Sequence, residues 1–132
     1  MTIATAYWCV LIAALLPYVW VFFAKFGAPG YNNRNPRAWV AKQEGNYKVQ
    51  RANNAHLNAF EAFAPFAAGV LMAQAAGVPG ALVNLLALVF VGCRVAHGIC
   101  YLAGLHWLRS LAWAGGFACV LGLMVRAALA LA

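Results

Sequence analysis

Two short stretches hold residues that could do chemistry. Arg51, Asn54, His56, Asn58 and Glu61 fall close together, and so do Arg94, His97 and Tyr101, with Arg109 and Ser110 soon after. Asn54, Asn58 and Glu61 step by four and three. Arg94, His97 and Tyr101 step by three and four. On a helix each set forms one stripe. Two such stripes facing each other make either a polar seam that holds helices together or a cleft for a polar ligand. His56 and His97 could also ligate one iron. Ser110 can cap a helix start, and Arg109 can anchor one at a membrane surface.

The elements that must carry these residues are membrane spans. Of the 132 residues, 66% are hydrophobic and 8% charged, and mean hydropathy is +0.78. A soluble domain is about 45–50% apolar and about 25% charged, and a disordered chain needs low hydrophobicity with high charge. Both classes are excluded. Four apolar stretches lie at 3–24, 52–76, 81–104 and 108–131, against the roughly 20 residues needed to cross a bilayer. The expected fold is an all-α integral membrane protein, a four-transmembrane-helix bundle forming one domain over 1–132. The first stretch has no cation before it, unlike a signal peptide, and is expected to be retained.

Net charge is +7, and six of the nine Lys and Arg lie between Lys25 and Arg51. This places the 25–50 loop on the cytoplasmic side, near anionic lipid. Both termini and the Gly77-Val78-Pro79-Gly80 turn then face the other side. No aromatic platform or reading helix accompanies the cations, so nucleic acid is not expected as a partner. Cys9, Cys93, Cys100 and Cys119 sit in apolar stretches without metal-ligand spacing, so neither a metal site nor a disulfide is indicated.

The ionisable residues concentrate in the second and third spans. From the loop side, Glu61 and Arg94 each lie about 15 Å deep, and Asn58 and His97 about 10 Å, at 1.5 Å per residue. A Glu61–Arg94 ion pair is expected. The polar residues cluster towards one face of the membrane, which argues against a transporter open to both sides.

The run Arg51-Ala-Asn-Asn-Ala-His-Leu-Asn-Ala-Phe-Glu61, followed by Pro65-Phe66, resembles the second-helix signature of the MAPEG family, membrane-associated proteins in eicosanoid and glutathione metabolism. Arg94-Val-Ala-His97-Gly-Ile-Cys-Tyr101-Leu-Ala-Gly-Leu, then Arg109-Ser110, resembles the third helix and start of the fourth in its prostaglandin E synthase and glutathione transferase members. The Asn-Arg-Asn-Pro-Arg-Ala-Trp run at 33–39 resembles prokaryotic members, implying a bacterial inner membrane.

The resemblance implies a homotrimer that binds glutathione between subunits near the cytoplasmic side. Arg51, His56, Asn58, Glu61, His97 and Tyr101 match the family's glutathione contacts. Arg109 and Ser110 match the pair that activates the thiol. Arg94, facing the same cleft, joins the binding set, because a guanidinium suits a carboxylate. The implied activity is that of a glutathione-dependent membrane transferase, or a peroxidase, acting on a lipophilic small molecule from the bilayer. The family also includes a lipoxygenase-activating member that binds lipid without catalysis, so a non-catalytic lipid-binding protein is the alternative. Asn54 and Leu57 stand where other members carry arginine, and Trp113 where a nearby tyrosine is found.

Overall fold

The structure, a computed structural model, describes residues 2–132. The regular elements of the described residues are all helices: α1 Ala4–Lys25, α2 Pro36–Ala41, α3 Tyr47–Ala75, α4 Gly80–Ala103 and α5 His106–Leu131. Helices α1, α4 and α5 are each long and apolar enough to cross a membrane. Helix α3 is the longest, and its first half carries the polar residues.

The apolar ends of the long helices share one core, where Ala6, Cys9 and Ala13 of α1 meet Phe66, Val70 and Ala73 of α3, Ala87 and Phe90 of α4, and Leu123 of α5. Phe66 and Phe90 lie face to face, with ring centroids 3.9 Å apart. Small residues permit this closeness, because lipid gives apolar helices little reason to associate unless their backbones can approach. A Cβ on Gly69 would lie 3.3 Å from Leu123 Cβ.

Towards the other end the packing changes character. Trp20 of α1 lies on Gly98 of α4, where an added Cβ would meet the indole at 2.0 Å. Trp39 of α2 packs with Ala24, Val49 and Ala52, which ties the polar loop down on α1 and α3.

Two helix starts are completed by asparagines. Asn84 Oδ1 accepts from the backbone N–H of Ala6 at 3.0 Å, and its Nδ2 donates to the Thr2 carbonyl at 2.9 Å. An α4 side chain thus serves an α1 terminus that has no cap of its own. Asn46 accepts from the Val49 N–H at 3.2 Å and starts α3 at Tyr47. The hydropathy-based expectation put this start at 52 and left 25–50 as loop. The structure instead places α2 and the first turn of α3 within that segment, because Pro36 suits a first helical turn and Asn46 caps, whatever the hydropathy.

Candidate functional site

The polar residues meet where the loop-side halves of α3, α4 and α5 converge. Asn58, His97, Tyr101, Arg109, Ser110 and Trp113 line a cavity of about 250 Å³. A second cavity, of about 190 Å³, is lined by Asn58, Glu61, Arg94 and Trp113 with an apolar wall that includes Pro65, Phe90 and Phe117. Asn58 and Trp113 border both, so the two adjoin as the polar Arg109 end and the mixed Glu61 end of one cleft region.

Helical spacing explains the convergence. Asn58 and Glu61 share the α3 stripe, and Arg94, His97 and Tyr101 share the α4 stripe. On α5, Ser110, Trp113 and Phe117 step by three and four and form the third wall. Trp113 and Phe117 are stacked, with centroids 5.1 Å apart. Phe117 was not singled out from sequence, although its spacing from Ser110 was the available signal.

Among the described residues, Arg94 and His97 are the buried polar or charged side chains. Arg94 Nη2 donates to Asn58 Oδ1 at 2.7 Å. This corrects the expected Glu61–Arg94 ion pair. The two residues share a cavity, but the direct partner of Arg94 is Asn58, and Glu61 is exposed at the cleft edge. The depth arithmetic put Glu61 level with Arg94. It ignored azimuth: Asn58 sits one turn nearer the loop and points at α4.

His97 Nδ1 is fully enclosed and has no hydrogen-bond partner. Its ring meets Tyr101 edge-on at 5.5 Å, and the Arg109 guanidinium lies over the Tyr101 ring at 4.5 Å from its centroid. His97, Tyr101 and Arg109 therefore form a ladder from α4 to α5. The phenol face holds the guanidinium by cation–π attraction on the rim that Ser110 shares.

Two expected site residues lie elsewhere. His56 is two residues from Asn58, and its Nδ1 donates to the Pro17 carbonyl at 2.6 Å. It lines a separate cavity between α1, α2 and α3. His56 and His97 thus open to different cavities and are not arranged to share an iron. Arg51 is exposed and lies against Gly104, the left-handed residue (φ 74°) that ends α4. A Cβ on Gly104 would come within 3.0 Å of the guanidinium. Neither Arg51 nor His56 lines the Asn58 cleft. No group of three or more His, Cys, Asp or Glu able to hold a metal ion occurs among the described residues.

Comparison with known proteins bears on what this cleft is. No curated protein and no solved structure matches the chain. The model of one family, MAPEG, matches residues 5–129, which reaches into all five helices and includes every residue of the cleft. The chain belongs to the MAPEG family, and with three helices able to cross a membrane it is an integral membrane protein.

Proposed function

We propose that the protein is a glutathione-dependent membrane transferase whose reaction takes place in the cleft between α3, α4 and α5. The observation that carries this reading is the juxtaposition, in one cleft, of Arg109 and Ser110 with Asn58, Glu61, Arg94, His97 and Tyr101.

The donor set suits glutathione, which has two carboxylates, an ammonium and a thiol. Arg94 offers a carboxylate its remaining guanidinium N–H groups, and the exposed Glu61 is free to take the ammonium. The thiol end then falls at Arg109 and Ser110. A free thiol has a pKa of about 8.5, and lowering it by two units takes about 2.7 kcal/mol. Arg109 supplies positive charge and Ser110 an O–H donor to the sulfur, and the released proton leaves to water. The thiolate forms a bond to carbon of the electrophile, and the leaving group departs with its electron pair. With a hydroperoxide as acceptor, a second glutathione completes reduction to the alcohol and water, leaving the disulfide.

Trp113 and Phe117 give the electrophile an apolar approach. Both are exposed at the cleft edge, so a lipophilic molecule can enter sideways from the bilayer. In this reading α3 crosses the membrane as well, and the cations of the 25–50 loop put that loop and the cleft mouth on the cytoplasmic side of a bacterial inner membrane. In this reading the protein is a homotrimer. Arg51, Asn54 and Glu61 are exposed along one edge of α3, and polar edges at membrane depth face protein rather than lipid. A contact from Arg51 to glutathione would then be made to a ligand shared with a neighbouring copy.

The test separates binding from turnover. Arg109→Ala lowers conjugation by about a hundredfold, the scale of losing one donor to a developing anion, while calorimetric glutathione affinity changes far less. Equal loss of both removes Arg109 from the chemical step. No saturable binding at millimolar glutathione favours the non-catalytic lipid-binding alternative.

A further inference from the structure

A cavity that the proposed chemistry does not use lies on the opposite side of α3. It measures about 450 Å³ and is lined by α1, α2, their connecting loop and α3. That volume falls within the range of about 300–1,000 Å³ common to small-molecule sites. One end is cationic and polar, with Lys25, Arg37 and Asn53. The other is apolar, with Val21, Leu57 and Phe60. Neither of the chain's two acids lines it: Glu61 opens to the other cleft, and Glu44 is absent from the lining.

The polarity is ordered along the helices. On α1, Val21 lies one turn, about 6 Å, inside the terminal Lys25. On α3, Asn53, Leu57 and Phe60 descend by four and three residues, about 10 Å in all, from polar to apolar. Tyr18 continues the apolar wall, meeting Phe60 edge-on at 5.6 Å. The Lys25 ammonium lies over the Tyr31 ring at 5.0 Å, which holds it at the cavity mouth. His56 Nδ1 is committed to the Pro17 carbonyl, so the ring stands fixed in the wall.

We propose that this cavity binds an anionic phospholipid, with the headgroup phosphate between Lys25 and Arg37 and an acyl chain along Val21, Leu57 and Phe60. The match is one of charge and direction. Two cations meet a phosphate at the level where α1 ends, and an apolar track runs from them parallel to the helix axes. A soluble anion would use the cations and leave the track bare. A neutral lipid would use the track and leave the cations without a partner. The proposal goes beyond the glutathione reading and does not depend on it.

Native mass spectrometry of the full chain in detergent, with dioctanoyl phosphatidylglycerol or dioctanoyl phosphatidylcholine added at equal concentration, tests it. The phosphatidylglycerol adduct is expected to dominate. Lys25→Gln and Arg37→Gln should each weaken it by about fivefold, the scale of one cation at an anionic surface, and weaken the phosphatidylcholine adduct, whose phosphate is offset by its choline, by less. Phe60→Ser should weaken both lipids and thereby register the track. Equal retention of the two lipids, or wild-type retention by the Lys25→Gln/Arg37→Gln variant, overturns the proposal. Displacement by millimolar inorganic phosphate would also overturn it, as the mark of a site for the free anion. Displacement by glutathione would overturn it by assigning the cavity to the thiol substrate.

Discussion

Arg94 is the most constrained side chain in the cleft, because a guanidinium 4% exposed at membrane depth must have a partner. Its direct partner is the neutral Asn58, with Glu61 nearby but exposed. This sets the order of two substitutions. Asn58→Leu removes the acceptor while leaving the charge buried, and hydrogen bonds to charged groups contribute about 1.5–3 kcal/mol. Its thermal midpoint in detergent should fall clearly. Glu61→Gln keeps shape and polarity at an exposed position and should move the midpoint far less, while weakening glutathione binding through loss of the ammonium partner. A larger thermal loss for Glu61→Gln than for Asn58→Leu would restore the ion pair and demote the Asn58 bond. The same residues show what the sequence made legible. Spacing along α3 and α4 is enough to bring Asn58, Glu61, Arg94, His97 and Tyr101 together, because three- and four-residue steps define a face. It does not say which member of one stripe touches which member of the next, since this depends on rotation about each helix axis. His56 lines a different cavity for a related reason. It lies off the 54–58–61 stripe, and only its placement in the signature, not its angular position, associated it with the cleft.

At the scale of elements, the helical class and the Gly77-Val78-Pro79-Gly80 turn were legible in hydropathy and turn chemistry. The polar segment between α1 and α3 was not, because α2 is short and is held by Trp39 packing on Ala24, Val49 and Ala52 rather than by any periodic pattern. The seat of Gly98 was equally hidden, since a glycine in an apolar helix reads as a neutral filler until Trp20 is found on it. Gly98→Ala is therefore expected to be severe. Its Cβ would sit 2.0 Å from an indole that is itself buried, so α1 and α4 must separate, and overpacking of this kind costs about 1–3 kcal/mol or more. Gly92→Ala, with open space around it, is the matched control and should be neutral or slightly stabilising, because alanine is the better helix former. Thermal unfolding of both variants in one detergent checks the pair. Equal midpoints would show that Trp20 has another place to go. Asn84→Ala probes the other end of the same helix pair. It strips the Ala6 N–H of its acceptor and should cost about 1 kcal/mol, as loss of a helix cap does, with faster hydrogen exchange confined to the first turn of α1.

For the whole molecule, the question is what covers the outer edge of α3. Helix α3 packs on α1, α4 and α5, yet Arg51, Asn54, Leu57 and Glu61 remain exposed along it. Exposed leucine is at home in lipid, whereas a carboxylate and an asparagine in the same row are not, since ionised groups at membrane depth cost several kcal/mol unless protein or water meets them. A second copy against this edge removes the cost, and closed symmetry extends the contact to every copy. Three copies, the number the family resemblance implies, should then persist together in mild detergent, measured by analytical ultracentrifugation. Asn54→Trp adds bulk in the middle of the exposed row without touching the subunit's own core, so it should shift the population towards single copies and reduce glutathione turnover with it. Asn32→Trp, on the exposed loop before α2, should change neither. If Asn54→Trp leaves both the assembly and the turnover intact, the α3 edge faces water or lipid headgroups, and the cleft works within one subunit.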